Sequence, residues 1–241
     1  PAGMWVTPLG MLSIKGGGAE EPVILLQGAV CSEEAICGII GSTKTMAKYI
    51  DDIFGSFQQR VDPSKASSKH IYNHLTDQAR QIHLQNKELL YAAVRSLGDY
   101  ASVTIALDAF QGLFDSKWEK EPLSSQSAPR CLIVHFLFEC VMDYGQWLGW
   151  NQATEMVAVE ILAHTCGRYA SALSRRVKRR KISKNSAIEG VQNDFRFIKS
   201  HVQSHNLLGR LISAVRLTKA LAPLAAILLC FRANECSHLH G

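Results

Sequence analysis

Seven cations crowd into ten residues of this chain: Arg175, Arg176, Lys178, Arg179, Arg180, Lys181 and Lys184. Taking those seven from the formal net charge of +5 leaves 5 − 7 = −2, so the basic character of the protein resides in one segment. Such a cluster suits phosphate-bearing surfaces. It gains about 1 kcal/mol per basic residue near an anionic membrane, it binds nucleic acid through counterion release, and it also matches a nuclear localisation address. The pull of a helix C-terminus on cations, about 0.3–1 kcal/mol each, accounts for two or three such charges and not for seven.

Metal chemistry has thinner support. His70 with His74, and His201 with His205, stand at the i, i+4 spacing of a two-histidine site on a helix. No carboxylate accompanies either pair in the H-E-x-x-H order; Asp77 and His83 are only nearby. Cys230, Cys236, His238 and His240 offer four zinc-competent groups in a spacing that standard fingers do not use. Solvated or core-edge histidines are the expectation, with no cofactor. The seven cysteines are odd in number and mostly sit in apolar context, which points to reduced core thiols and an intracellular home, membrane-peripheral or nuclear.

Enzyme signatures are few: there is no glycine-rich phosphate loop and no G-x-S-x-G elbow. The segment Tyr49-Ile50-Asp51-Asp52-Ile53-Phe54 resembles the aspartate-rich magnesium motif of all-α isoprenoid synthases, and Asn193-Asp194 falls where their second metal motif would lie. That resemblance implies Mg²⁺ held against a diphosphate by carboxylates on facing helices. It departs from the family at Gly55, Phe197 and His201, where an acid, a hydroxyl and an acid are expected. A second resemblance covers residues 44–118. Leu89-Leu90, Leu97, Asp99-Tyr100, Ala106, Phe114-Asp115, Lys117 and Trp118 are similar to the middle helix of the sorting-nexin type of BAR domain, with Met46-Ala47-Lys48 through Gly55 as the end of its first helix. This resemblance implies a three-helix dimeric module on curved anionic membranes, contacting them through 175–184.

The elements that must carry these residues are helices. Pro22, Pro63, Pro122, Pro129 and Pro223 bound three proline-free stretches at 23–62, 64–121 and 130–222. Proline lacks the N–H and clashes with the preceding turn, so these stretches with 3.6-residue apolar spacing read as long or stacked helices. In the middle one, Ile71, Leu75, Ala79, Ile82, Leu89, Ala93, Leu97, Val103 and Leu107 lead on to Phe110, Phe114 and Trp118 along one face, interrupted by Asn86. The spacing predicts either one rod or two helices broken near Gly98 or Gly112, with Ser64 or Ser67 as the cap. The third stretch predicts a helix from Cys131 to about Trp150 and another from Thr154 to about Lys184. A capping box of Ser186 and Glu189 then opens a further one, on which Arg196, Lys199, Arg210, Arg216 and Lys219 extend the positive face.

The expected fold is therefore all-α: a bundle of long antiparallel helices forming one domain over 23–241, with an irregular, extended arm over 1–22 that carries Trp5, Leu9, Met11, Leu12 and Ile14 as apolar hooks. The most apolar runs, Cys131–Met142 and Ala220–Phe231, fall short of the ~18 residues of a membrane span and read as buried helices. Two classes of function fit. The first is a non-enzymatic scaffold or assembly protein that lays its basic segment on a membrane or nucleic acid, including viral matrix or nucleocapsid roles. The second is an accessory subunit of a larger complex. The magnesium-dependent enzyme stands third. So long an apolar seam needs covering, so homo-oligomerisation and other protein subunits are the expected partners.

Overall fold

A computed structural model describes residues 4–6, 12–14, 24–26, 29–61, 66–109, 129–179 and 183–236. Two short hairpins lead the chain. β1 (Met4–Val6) pairs antiparallel with β2 (Leu12–Ile14), setting Met4 opposite Ile14, and β3 (Ile24–Leu26) pairs with β4 (Ala29–Cys31). The arm is thus in part a β-hairpin rather than wholly irregular. The second hairpin likewise takes the first residues of the stretch read as helix, and it buries Ile24 and Leu26 against the bundle.

Everything after it is helical. α1 (Glu33–Arg60) starts at Ser32, whose Oγ accepts from Ala35 N at 3.1 Å, with Glu33 and Glu34 favoured by the positive end of the dipole. It ends at Val61, which is extended, two residues before Pro63. α2 (Ala66–Ala109) is one unbroken helix of 44 residues, about 66 Å long at 1.5 Å per residue. It does not break at Gly98 because that glycine is a contact point: a Cβ there would stand 2.6 Å from Glu160 Cβ, so hydrogen alone lets the next helix approach. Ser67 lies inside its first turn, while Ser64, Phe110, Gly112, Phe114 and Trp118 lie outside the described residues.

α3 (Pro129–Leu148) and α4 (Gln152–Lys178) are joined through Gly149, at φ 71°, and Asn151, whose side chain caps α4 by accepting from Ala153 N at 2.8 Å. α5 (Lys184–Ser204) is capped by Ser183, which accepts from Ser186 N at 3.1 Å. The expected cap at Ser186 is therefore one turn late: Ser186 is the residue whose N–H is capped. His205 then serves α6 (Leu208–Leu211), its Nδ1 accepting from Leu207 N and Leu208 N, and α7 (Ala214–Ala220) and α8 (Ala222–Cys236) close the chain.

Cross-links fix the directions. α1 runs antiparallel to α2, as Asp51 meets His83 at 3.0 Å and Gln58 donates to Tyr72 at 3.0 Å. α4 runs parallel to α2, since Gly98 faces Glu160 and Ser102 faces Arg168. α3 and α5 run opposite to both. Tyr144, near the end of α3, donates to Glu33 at the start of α1, so these two helices follow one another along the side of α2. The core consequently fills only part of the length. Its buried residues begin at Ala93 on α2 and stop at Thr43 on α1. Beyond them the C-terminal half of α1 and the N-terminal third of α2 leave the body as a two-helix arm.

Among the described residues no single helix is long and apolar enough to cross a membrane. α7 with α8 reaches the required length and composition only as a pair bent by 51°, and Leu217, Leu221, Leu224 and Phe231 of that pair are buried in the body.

Candidate functional site

The last two turns of α4 carry the basic cluster to one end of the body. Arg175, Lys178 and Arg179 are exposed and Arg176 is half-buried. Arg175 Nε donates to Ser171 O at 3.3 Å, and Arg179 closes the helix with its N–H on Arg175 O at 3.1 Å. None of these four cations forms an ion pair among the described residues. Arg180 and Lys181 lie outside the described residues, and Lys184 opens α5.

Beside the cluster runs an open trough of about 980 Å³ between α4 and α8. Ala170, Val177, Ile227 and Phe231 give it apolar walls, with Arg175 and Lys178 at its rim. The outer side of α8 continues this character: Ala222, Ala226, Leu229 and Cys230 are exposed, and Leu229 is 66 % exposed. Cations and apolar surface thus share one end of the molecule. Arg216 does not extend the positive face there, because it pairs with Glu155 at 2.9 Å in the first turn of α4, at the far end of that helix.

Two buried polar networks tie the body together, and neither was evident from spacing. Asp99, 2 % exposed, accepts from Arg168 Nη2 at 2.7 Å and faces His164 Nδ1 at 3.3 Å, while Arg168 Nε donates to Ser102 at 2.9 Å. Asp194, equally buried, accepts from Arg130 at 3.2 Å and from the Tyr169 hydroxyl at 2.6 Å. Burial and the Asp194 charge hold the Tyr169 phenol well above its ordinary range. Each charge here is paired, as a buried charge must be. The only sequence signal was a carboxylate standing in an apolar seam, at Asp99 between Leu97 and Val103.

These placements separate the two carboxylate motifs read as a magnesium site. Asp51 sits on the arm opposite His83, whereas Asp194 is held by Tyr169, one residue beyond Arg168 and hence level with Ser102. Nineteen residues of α2 lie between those levels, about 28 Å. The motifs do not face each other. Among the described residues no group of three or more histidine, cysteine or acidic side chains is arranged to hold a metal ion. His70 and His74 are exposed on the arm, His201 stacks on Phe197 with ring centroids 3.6 Å apart, and His205 acts as a cap. Cys230 is exposed, while the Cys236 side chain, His238 and His240 lie outside the described residues.

The thiols of the body behave as core groups. Burial pushes Cys166 up to about 12 and Cys37 up to about 11, with Glu33 adding to the latter. The chain matches no protein-family model, no curated protein and no solved structure.

Proposed function

We propose that the chain is a non-enzymatic helical scaffold that docks on an anionic membrane surface through the α4–α8 end of its body. The observation that carries this reading is the union of unpaired cations at the end of α4 with the apolar trough and the uncharged outer side of α8. Phosphate headgroups answer the cations, and the apolar edge enters the headgroup boundary. At about 1 kcal/mol per basic residue, the four described cations supply about 4 kcal/mol, roughly a thousandfold in affinity.

Nucleic acid is the poorer fit. Stacking on single-stranded bases needs exposed aromatic rings near the cations. Tyr169 is 0 % exposed and Phe197 8 %, so both are spent on the core. The resemblance of residues 44–118 to a BAR module leads toward the same membrane reading, although α3 is here a buried core helix of 20 residues. A second reading, an accessory subunit of a larger complex, draws on Trp147 and Trp150, which stand 54 % and 50 % exposed around the α3–α4 turn as interface tryptophans do.

Vesicle co-sedimentation across a salt series tests the proposal. Binding to phosphatidylserine-containing vesicles that falls with salt, and is lost on Arg175→Glu, Arg176→Glu and Arg179→Glu with the helical circular-dichroism signal intact, is the expected result. Equal binding by the charge-reversed protein overturns it. Binding to RNA in place of vesicles transfers the cluster to nucleic acid, and binding to neither favours the subunit reading.

A further inference from the structure

The arm carries more exposed apolar surface than its two helices need. Of the large apolar residues exposed among the described part of the chain, Met46, Tyr49, Ile53 and Phe57 on α1, and Ile71, Ile82, Leu84 and Tyr91 on α2, all belong to it. On α1 the first four recur at spacings of three, four and four, one stripe along a helix. Helical spacing sets that stripe about a quarter-turn from the side that meets α2. On α2, Ile71, Ile82 and the half-buried Leu75 and Leu89 form the matching stripe, a similar angle from the side that meets α1. Because the helices are antiparallel, both stripes turn toward the same face of the arm. Leu84 and Tyr91 lie on the other face, Tyr91 beside the start of α4.

We infer that this face binds a second copy of the chain, two arms packing face to face and antiparallel as a four-helix bundle. Self-complementarity carries the choice of occupant. A two-fold axis midway between Asp51 and Asp52 sets Met46 opposite Phe57 of the second copy, and Tyr49 opposite Ile53 of the second copy. The contacts Asp51–His83 and Gln58–Tyr72 place that same axis near Arg80 on α2, where it sets Ile71 opposite Leu89 of the second copy. One axis therefore satisfies both helices, as an isologous interface requires. The two bodies then project from opposite ends and do not collide. The overlap, about 27 Å long and two helix diameters wide, covers about 500 Å² on each copy and about 1,000 Å² in all, the lower bound for a specific interface. This contact does not depend on the membrane reading.

Sedimentation equilibrium of the full chain tests it, with weak affinity expected from so small an area. A monomer–dimer equilibrium is expected below about 100 µM, weakened at least tenfold by Ile53→Lys on the packed face and unchanged by Leu84→Lys on the opposite one. Both positions are exposed, so both variants retain the fold. A species that stays monomeric at that concentration overturns the proposal. So does a dimer indifferent to Ile53→Lys, or one weakened equally by Leu84→Lys.

Discussion

Along α2 the helical spacing of apolar residues runs through arm and body alike, yet Leu97 and Ile105 are at most 1 % exposed while Ile71 and Ile82 are 54 % and 43 % exposed. The difference is in what stands opposite. From Ala93 onward α3 and α4 cover the helix, whereas before it only α1 does, because α4 begins at Gln152, level with the middle of α2. Polar residues follow the same division. The body buries Asp99 and Asp194 against arginines, and the arm leaves its Asp51–His83 pair at the surface. Periodicity therefore specifies a face, and coverage of that face is a property of the neighbours.

The sharpest test of this contrast removes one carboxylate from each region. Asp194→Ala strands Arg130, 3 % exposed, and is expected to cost about 3–5 kcal/mol, whereas Asp51→Asn in the arm shifts stability by no more than about 0.5 kcal/mol in urea unfolding. A similar loss for both would break the comparison. Truncation of apolar side chains comes next. Leu97→Ala is expected to destabilise by about 2–5 kcal/mol, while Ile53→Ala at low protein concentration stays within about 0.5 kcal/mol.

Alkaline pH sharpens the contrast by acting on the body. Cys166 ionises near its model value of 9.0 once unfolded but is pushed up to about 12 in the fold. The unfolded chain then holds fewer protons above pH 9, so stability is full below that pH and falls as pH rises toward the folded value. Between about pH 8 and pH 10 the parent protein should lose about 1.4 kcal/mol more than Cys166→Ala, read as the difference in urea midpoints. The smallest effect reverses sign between the regions. Gly98→Ala brings a methyl to within 2.6 Å of Glu160 Cβ and destabilises, overpacking of about 1–3 kcal/mol exceeding the gain in helix propensity. Gly55→Ala, in the arm with nothing within 4 Å, stabilises by up to about 1 kcal/mol, and thermal melts of the two variants should move in opposite directions.

Much of the fold was legible because helix signals are local. The all-α architecture, the seam of α2, the apolar α3 and the turn at Gly149 to Asn151 all follow from spacing and from proline and glycine positions. Asn86, the one break in the seam, turned out to donate to Thr43 O at 2.8 Å across the hairpin, a pairing no single helix could reveal. Ser183 rather than Ser186 caps α5 because several serines competed for the role and backbone geometry chose between them. The basic cluster was plain as a run of residues. Its apolar companion was not, since α8 reaches the end of α4 from some fifty residues away, and Arg216 left the positive face only because Glu155 met it. Asp99 and Asp194 were invisible as clamps because their partners lie on other helices.

The length of α2 is set by residue count and by nothing else. Since α4 runs parallel to it, the tip of the arm and the cations of α4 stand at opposite ends of one rod about 66 Å long. The helix is in effect a ruler. Whatever holds the tip is kept at a fixed stand-off from whatever holds the basic end, and an insertion of seven residues into α2 and a matching seven into α1 would lengthen that stand-off by about 10 Å while leaving both ends chemically unchanged.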